Sequence, residues 1–289
     1  MDHFFINVRG RLIDLSTPRI MGILNATPDS FYQGSRVQTE REIAERADQI
    51  VAEGGTFIDV GAFSTRPGAV EVGEAEETER LRRALQIVRR QQPDVPVSVD
   101  TYRPEVARRC IEEFGADIIN DVSEGGLTGI VNTPIHEKGS MFETVARLGV
   151  PYILMSVKPD LASMLLAFAR EVDVLHSLGV KDIILDPGFG FGKTLEQNYA
   201  VLADMERLHA LDLPLLVGIS RKSMVYRLVG GDPTTALNGT TALHAIALQK
   251  GASILRVHDV KACAEAMAIV RMTAEGHQAN MGQDKSEKC

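Results

Sequence analysis

Four side chains with strong hydrogen-bonding groups follow or end short apolar runs of this sequence. They are Asp100, Asn120, Asp186 and Lys222. Three acceptor groups and one ammonium match a flat ligand that carries several ring N–H donors and a carbonyl or ring nitrogen, as a pterin does. The alternative is a buried ion pair between Asp186 and Lys222, which is a weak source of stability because burial strips both charges of water.

A second group of residues favours the binding of an anion. It consists of Asn25, Arg66, Arg221, Arg256 and His258, with Ser64 and Thr65 beside Arg66. Arg256 lies inside an apolar run two residues before His258, so in a strand both side chains point to one face. This set suits a phosphate or diphosphate with Mg2+, which usually takes one or two protein oxygens and completes its shell with water and phosphate.

Other kinds of chemistry are not supported by the motifs. The glycines of the run 186–193 do not have the G-x-G-x-x-G spacing, which argues against a nucleotide loop. They allow a turn close to a flat ligand, with Phe189 or Phe191 offering a ring face. A Ser/His/Asp triad, a Cys/His pair and an H-E-x-x-H motif are not found, so we expect chemistry without a protein nucleophile.

The elements that must position these residues follow a regular pattern. Apolar runs alternate with helical segments, which predicts a parallel sheet, and eight strand candidates favour a closed (β/α)8 TIM barrel over a doubly wound sheet. The predicted strands are 19–24, 56–60, 95–99, 117–119, 151–155, 182–185, 214–219 and 253–257. Helices are predicted at 39–53, 74–91, 195–208, 236–249 and 261–274, with a further helix opening at 101–104.

The remaining segments complete a single-domain barrel, predicted at 1–277. Residues 3–15 have Gly10 between two alternating runs, which predicts an N-terminal β-hairpin (1–17) capping the lower end of the barrel. Residues 278–289 are polar, and we expect a disordered tail. The connections 25–36 and 62–69 are rich in turn formers and polar groups, as expected of βα loops at the active-site face of a barrel.

Composition excludes several classes of protein. The net charge is −8 and the pI about 5.4; a general affinity for nucleic acid would need clustered positive charge. Apolar stretches approaching a membrane span are not found, and the start of the chain lacks a signal-peptide pattern, so we expect a cytoplasmic protein. Cys110, Cys263 and Cys289 have no metal-ligand spacing and are expected to be plain thiols.

Seven ordered motifs give the chain a resemblance to a known family. They are Asn25-Ala-Thr-Pro-Asp-Ser-Phe31, Ser64-Thr-Arg-Pro-Gly68, Ser98-Val-Asp-Thr101, Ile119-Asn-Asp121, Leu185-Asp-Pro-Gly-Phe-Gly-Phe-Gly-Lys193, Gly218-Ile-Ser-Arg-Lys-Ser223 and Leu255-Arg-Val-His-Asp259. Together they resemble dihydropteroate synthase from Ile20 to Val260. The resemblance implies an alkyl transferase that condenses 6-hydroxymethyl-7,8-dihydropterin diphosphate with p-aminobenzoate, giving 7,8-dihydropteroate and diphosphate, in folate biosynthesis. It also implies a homodimer and Mg2+.

The resemblance also implies roles for particular residues. Asp100, Asn120, Asp186 and Lys222 would hold the pterin, and Asn25, Arg256 and His258 would bind the diphosphate and its metal, with Asn25 as the metal ligand. Thr65, Arg66 and Pro67 would bring the second loop over the site, Asp29 would act from the first loop, and Phe191 and Ser223 would border the p-aminobenzoate pocket. Lys222, Asp29 and Arg66 are the expected catalytic residues. Ser223 would begin a short helix whose amides favour the substrate carboxylate.

The sequence departs from the family pattern in three places. Ser156 follows Met155 where Met-His is common, the segment 159–183 looks shorter than usual, and 61–64 reads Gly-Ala-Phe-Ser where Gly-Gly-Glu-Ser is common. Phe63 and the altered loop motivate the hypothesis that the protein discriminates against sulfonamides, which resemble p-aminobenzoate. Two alternative functions are a methyltetrahydrofolate-dependent methyltransferase and a pterin-binding paralogue without enzymatic activity.

Overall fold

The structure, a computed structural model, describes residues 4–26, 36–62, 72–125 and 140–286. Two antiparallel strands at the start are followed by parallel strands that alternate with helices. The strands are β1 (Phe5–Val8), β2 (Arg11–Asp14), β3 (Arg19–Asn25), β4 (Phe57–Gly61), β5 (Val97–Asp100), β6 (Ile118–Asp121), β7 (Tyr152–Met155), β8 (Ile183–Asp186), β9 (Leu216–Val217) and β10 (Ile254–Val257).

Helices follow each parallel strand along the chain. They are α1 (Arg36–Ala52), α2 (Glu74–Gln91), α3 (Pro104–Glu112), α4 (Ser140–Leu148), α5 (Leu161–Ser177), α6 (Leu195–Ala203), a 3-10 helix (Met205–Leu211), α7 (Ser223–Val229), α8 (Leu237–Gln249) and α9 (Val260–Ser286). The apolar stripe of α2 is buried as its 3.6-residue period predicts. The capping box of α6 pairs Thr194 with Gln197 and fixes where that helix begins.

The parallel strands close into a barrel. Their order is β8-β7-β6-β5-β4-β3-β10-β9, so each described strand pairs with its neighbour in the βα sequence. A parallel bridge between Leu185 and Leu215 joins the two edge strands, and the Leu185 amide donates to the Pro214 carbonyl at 2.9 Å. The predicted (β/α)8 barrel is therefore confirmed over the doubly wound alternative.

The lower end, where the parallel strands begin, is filled by apolar side chains and capped by the β1–β2 hairpin. One buried cluster joins the hairpin region to the first inward positions of the strands. Its members are Ile6, Val8, Leu15, Met21, Phe57, Ile118, Ile153, Ile184, Leu216 and Ile254. The predicted N-terminal cap is confirmed, because the hairpin side chains pack on the barrel interior. The outward positions of the strands pack against the helices in a second, larger cluster.

A buried carboxylate fastens the hairpin to this lower end. Asp117 Oδ1 lies 3.0 Å from Arg9 Nε in the hairpin turn, and its Oδ2 pairs with Arg89 of α2. The same Oδ2 accepts a hydrogen bond of 2.8 Å from the Val97 amide. Both carboxylate oxygens of a side chain that is only 3% exposed are thus paired.

Several elements differ from the sequence-based expectation. The tail 278–289 was expected to be disordered, whereas α9 continues to Ser286. The sequence did not predict the helices α4 and α5, and the segment after β7, which was expected to be shorter than usual, contains the whole of α5. In the described ranges, none of the helices combines the length and apolar character needed to cross a membrane.

Candidate active site

At the upper end, where the parallel strands finish, the inward positions change from apolar to polar. The strand period of two places Asp59 above Phe57 in β4, and Asp100 above Ser98 in β5. Asn120 of β6, Asp186 of β8 and Arg256 of β10 have the same inward direction. The barrel therefore gathers side chains that are far apart in sequence into one polar pocket.

Arg256 is the centre of a hydrogen-bonded network in this pocket. Its Nε lies 2.6 Å from Asp59 Oδ2, and its NH2 nitrogen lies 2.7 Å from Asp100 Oδ2. The Asn120 amide donates to the same Asp59 oxygen at 3.2 Å. The guanidinium thereby joins β10 to β4 and β5, and Asp59 extends the network to Asn120 of β6, which holds the polar side chains in a fixed arrangement.

Four buried polar atoms of this network have no hydrogen-bond partner among the described residues. They are Asp59 Oδ1, Ser98 Oγ, Asp100 Oδ1 and Asn120 Oδ1. Leaving a buried polar atom unpaired costs roughly 1–3 kcal/mol, so four at one place need an explanation. Three of them are carboxylate or amide oxygens, which accept hydrogen bonds, and a ligand rich in N–H donors would satisfy them.

Burial shifts the titration of the charged groups around the pocket. It raises the pKa of Asp100 to about 7, against the lowering effect of Arg256, and it raises the pKa of Asp186 against that of Lys222. Burial also lowers the pKa of Lys222 to about 7, although Asp186 raises it. These shifts mark groups whose charges are incompletely neutralised by the protein, as is common at functional sites.

The loop after β8 brings the backbone close to Lys222. The Lys222 ammonium donates to the Phe189 carbonyl and lies 4.2 Å from the centre of the Phe191 ring. Gly190 has a φ of +79°, and a Cβ there would lie 2.8 Å from Lys222 Cδ. Among the described residues no ion pair joins Lys222 to Asp186, so the structural ion pair considered above is not what holds this ammonium.

The residues expected to bind an anion are only partly grouped as predicted. The His258 ring lies 3.0 Å from Ser220 Oγ, directly above β10. Arg221, however, makes two hydrogen bonds to Asp259, at 2.8 and 2.7 Å, and a third to the Pro233 carbonyl. The expectation that Arg221 faces an anion is wrong, because its guanidinium joins Asp259, which follows β10, to the segment before α8.

Asn25 ends β3 at the same opening. A Cβ on Gly61 would lie 3.8 Å from Asn25 Oδ1 and 3.6 Å from the Asp100 Cβ, so these side chains are neighbours. Within the described ranges, no group of three or more His, Cys, Asp or Glu residues could hold a metal. One amide oxygen suits a cation that binds mainly through water and phosphate, as Mg2+ does.

Two arginines hold the ends of the β4–α2 connection. Arg80 of α2 donates to the Ala62 carbonyl at 3.0 Å, where the connection leaves the barrel. Arg103 donates to the Val72 carbonyl at 2.9 Å, where it returns, and pairs with the fully buried Glu77. Glu77 also accepts a hydrogen bond of 2.6 Å from Thr101, which follows Asp100. The stem at Ala62 is thus tied to α2, and the stem at Val72 is tied through Arg103 and Glu77 to the residue that follows Asp100.

Part of the predicted site lies outside the described residues, and part of the observed site was missed. Asp29, Thr65, Arg66 and Pro67 belong to the ranges that are not described. Ser223 begins α7, as predicted. Asp59 and Ser98 were not predicted as site residues. The signal for both was available, since each is a polar residue at an inward position of an otherwise apolar run.

Comparison with known proteins matches the pterin binding enzyme family to residues 21–258. The chain belongs to this family. Dihydropteroate synthase of Escherichia coli (strain K12) is 39% identical over 280 residues, which span 92% of this chain and 95% of the relative. The recognition of the chain from its motifs as similar to dihydropteroate synthase is confirmed.

Solved structures of dihydropteroate synthases have the same fold. The Xanthomonas albilineans enzyme with 4-aminobenzoic acid has a TM-score of 0.82 and 34% identity, covering 93% of this chain and 98% of that chain. The Yersinia pestis enzyme in complex with a sulfonamide drug has a TM-score of 0.80 and 38% identity, covering 94% of this chain and 100% of that chain. Near-complete coverage on both sides means that the shared pterin binding enzyme fold includes the whole barrel.

Proposed function

We propose that the protein condenses 6-hydroxymethyl-7,8-dihydropterin diphosphate with p-aminobenzoate, giving 7,8-dihydropteroate and diphosphate. The observation that carries this proposal is the set of unpaired buried atoms around Arg256, namely Asp59 Oδ1, Ser98 Oγ, Asp100 Oδ1 and Asn120 Oδ1. A pterin ring has an amino group and several ring N–H groups, so it offers donors to these oxygens. Membership in a family with dihydropteroate synthase relatives supports the same reaction.

The pterin end is bound by groups on rigid strands. Asp100, Asn120 and Asp186 accept hydrogen bonds from the ring edge, and Lys222 donates to a ring carbonyl or nitrogen. Arg256 keeps two of these acceptors in place through Asp59 and Asp100. Because the acceptors are ordered before the substrate arrives, little reorganisation is needed when positive charge develops on the pterin methylene.

The leaving diphosphate is placed on the side of Asn25 and His258. His258 is held by Ser220, and Arg256 lies two residues before it on the same inward face, which supplies positive charge near this side. Asn25 offers an oxygen to Mg2+, which we propose enters with the substrate. When bound, Mg2+ neutralises charge on the departing diphosphate oxygens.

The second step joins the aromatic amine to the electrophilic methylene carbon. The C–O bond to diphosphate breaks first, the amine nitrogen of p-aminobenzoate forms the new C–N bond, and the amine then loses one proton. Phe191, Ser223 and Lys222 border the space for this substrate, while Asp29, Thr65, Arg66 and Pro67 would act from loops outside the described residues. No nucleophile of the protein is required, so catalysis is positional and electrostatic.

The proposal is tested by direct product analysis. Purified protein is incubated with the pterin diphosphate, Mg2+ and p-aminobenzoate, and diphosphate release is measured together with dihydropteroate by mass. Equal amounts of both products support the synthase. Pterin binding without product would instead indicate a binding paralogue, and methyl transfer from methyltetrahydrofolate would indicate the methyltransferase.

We also propose that the enzyme discriminates against sulfonamides. The proposal rests on the sequence of the second loop, where Ala62 and Phe63 replace the common Gly-Glu. Sulfamethoxazole inhibition is measured for the wild type and for the double variant Ala62→Gly, Phe63→Glu. We expect the variant to be inhibited more strongly relative to its p-aminobenzoate KM; a wild-type Ki close to that KM would contradict the proposal.

A homodimer is the assembly that we propose. Exposed apolar side chains concentrate on the neighbouring helices α7, α8 and α9. They are Leu228, Val229, Leu237, Ile246, Ile269 and Met272. Sedimentation velocity should give a dimer that the Ile269→Glu variant weakens, whereas Leu166→Glu on the distant helix α5 should leave it intact. A cytoplasmic location stays a prediction from the sequence.

A further inference from the structure

The β8–α6 loop carries two parts of the site but has little rigidity of its own. Phe189 presents its carbonyl to Lys222, and Phe191 places its ring beside the same ammonium. Gly188, Gly190 and Gly192 all have positive φ, at +66°, +79° and +62°. Glycine has the largest conformational freedom of any residue, so this loop depends on side-chain hydrogen bonds to keep its shape.

Close packing explains the glycines but does not hold the loop in place. A Cβ on Gly188 would lie 2.1 Å from the Ser156 carbonyl oxygen, so the loop passes directly over the end of β7. The Gly188 amide donates to Asp186 Oδ1 at 2.8 Å, which fixes only the first turn. The later residues need a separate attachment.

The side chain of Lys193 provides that attachment. Its ammonium donates to the carbonyls of Ser156 and Gly188, each at 3.1 Å, and of Phe191 at 3.2 Å. An ammonium has three N–H donors, so this arrangement uses all of them. One cation therefore joins the start of the loop, its Phe191 end and the end of β7.

A second side chain holds the middle of the loop. Asn198 of α6 is 3% exposed and accepts a hydrogen bond of 2.7 Å from the Gly190 amide. Its amide group donates to the Thr194 carbonyl at 2.6 Å, which anchors Asn198 to the start of its own helix. Of Lys193 and Asn198, Lys193 is the residue whose side chain bonds both to the loop and to the residue that follows β7.

We propose that Lys193 is a positioning residue that fixes Phe191 and the Phe189 carbonyl against Lys222, and so sets the binding of the aromatic amine substrate. The inference rests on the proposed function, since Phe191 borders the p-aminobenzoate pocket. All three hydrogen bonds of Lys193 go to backbone carbonyls, so it acts through the loop. Burial lowers the pKa of Lys193 to about 8 although Asp186 raises it, which agrees with a group enclosed by the loop.

The pterin side should depend much less on Lys193. Asp100 and Asn120 lie on strands whose hydrogen bonds do not involve the loop. Asp186 is paired with β7 through its strand, and its Oδ1 accepts one hydrogen bond from the loop, at the Gly188 amide. The backbone of Lys222 is held outside the loop by the bond from its amide to the Ile219 carbonyl, while its ammonium bonds to the loop at the Phe189 carbonyl. Loss of Lys193 should therefore raise the KM for p-aminobenzoate more than the KM for the pterin substrate. A general loss of stability would not affect one substrate more than the other.

The test compares Lys193→Met and Lys193→Arg with the wild type in the full reaction. We expect Lys193→Met to raise the KM for p-aminobenzoate at least about tenfold and the KM for pterin diphosphate less than about threefold. Lys193→Arg keeps the charge and several donors, so it should restore most of the p-aminobenzoate affinity. Lys181→Met, an exposed lysine before β8, is the matched control and should change neither constant.

Hydrogen–deuterium exchange gives a readout that does not depend on turnover. Amides of the segment 188–193 should exchange at least about tenfold faster in Lys193→Met, while those of the β1–β2 hairpin stay unchanged. Equal changes in both KM values, or exchange equal to wild type, would overturn the role of Lys193. A wild type without product would overturn the proposed function instead, and the exchange experiment would still decide whether Lys193 holds the loop. If Lys193→Met does not fold, Lys193→Gln takes its place in both measurements.

Discussion

At the lower end of the barrel both oxygens of Asp117 are paired, whereas at the upper end Asp59 and Asp100 each keep one buried oxygen without a partner in the described structure. The two ends use the same residue types, carboxylates bound to arginines. Asp117 binds Arg9, Arg89 and the Val97 amide, so both of its oxygens stabilise the fold. Asp59 and Asp100 both bind Arg256, and each has one further oxygen that can accept a hydrogen bond from a ligand.

This difference separates groups that stabilise the chain from groups that are reserved for substrate. A fully paired buried ion pair loses stability when one partner is removed, because the other charge is left without compensation. An incompletely paired group costs stability in the free protein and recovers that cost on binding. Substitutions at the lower end should therefore lower the free energy of unfolding, and substitutions at the upper end should lower kcat/KM. The following changes test this difference.

The largest effect is expected at the lower end. Asp117→Ala leaves Arg9, Arg89 and the Val97 amide without their carboxylate, which should lower the free energy of unfolding by about 3 kcal/mol or more. Urea unfolding measures the loss, and kcat/KM of the folded variant should stay within about twofold of wild type. Asp94→Ala, an exposed residue before β5, is the control; a stable but inactive Asp117 variant would break the comparison.

At the upper end the expected loss is in activity. Asp186→Ala removes an acceptor for the pterin and should lower kcat/KM by at least about 2 kcal/mol, roughly thirtyfold. The free energy of unfolding should not fall by a similar amount, because the structure gives Asp186 no ion-pair partner within the described ranges. Asp173→Ala on the exposed face of α5 should affect neither quantity. An unchanged rate would refute the role of Asp186.

The pH dependence of the free energy of unfolding tests the state of Asp100 at the upper end of the barrel. The pKa of Asp100 is raised to about 7 by burial, so the folded state holds its proton more tightly than the unfolded chain. Its contribution to stability is present below the unfolded pKa and is lost as the pH rises through about 7. Between pH 5 and pH 8 the free energy of unfolding of the wild type should fall by about 1–2 kcal/mol relative to that of Asp100→Asn. A difference that grows in the opposite direction would contradict this assignment.

The smallest effect tests the apolar part of the cap. Ile6 is buried between the hairpin and the barrel, and Ile6→Val removes one methylene, which should cost about 1 kcal/mol of unfolding free energy. Leu12→Val in the exposed face of β2 should cost less than about 0.5 kcal/mol. Neither change should alter kcat/KM. A loss of activity in Ile6→Val would mean that the lower end also shapes the site.

Much of the barrel was predictable because its signals are local. Each parallel strand is a short apolar run, and the period of two then decides which side chains point inward. Arg256 and His258 could be assigned to one face on this basis, and the upper-end positions of Asp100, Asn120 and Asp186 followed from the strand ends. The identity of the fold also follows from eight repetitions of one unit.

The parts that were missed depend on contacts between distant residues. In the sequence Asp59 is a single polar residue in a strand. Its partner Arg256 lies 197 residues later, so only the tertiary structure shows that the two side chains bind. Arg221 and Asp259 are 38 residues apart, and only the tertiary structure shows that this arginine is already used. The extension of α9 to Ser286 has no clear local signal, since residues 278–286 mix helix formers with Asn280, Gly282 and Asp284.

The arginine attachments of the β4–α2 connection have a consequence for how this enzyme can change over evolution. Arg80 and Arg103 hold the Ala62 and Val72 carbonyls, so the ends of the connection are fixed by residues outside it. Replacements or insertions between residues 63 and 71 then leave the attachment points in place, and a longer connection adds little closure entropy. New substrate preferences can thus arise in this stretch by few mutational steps, without compensating changes in the barrel.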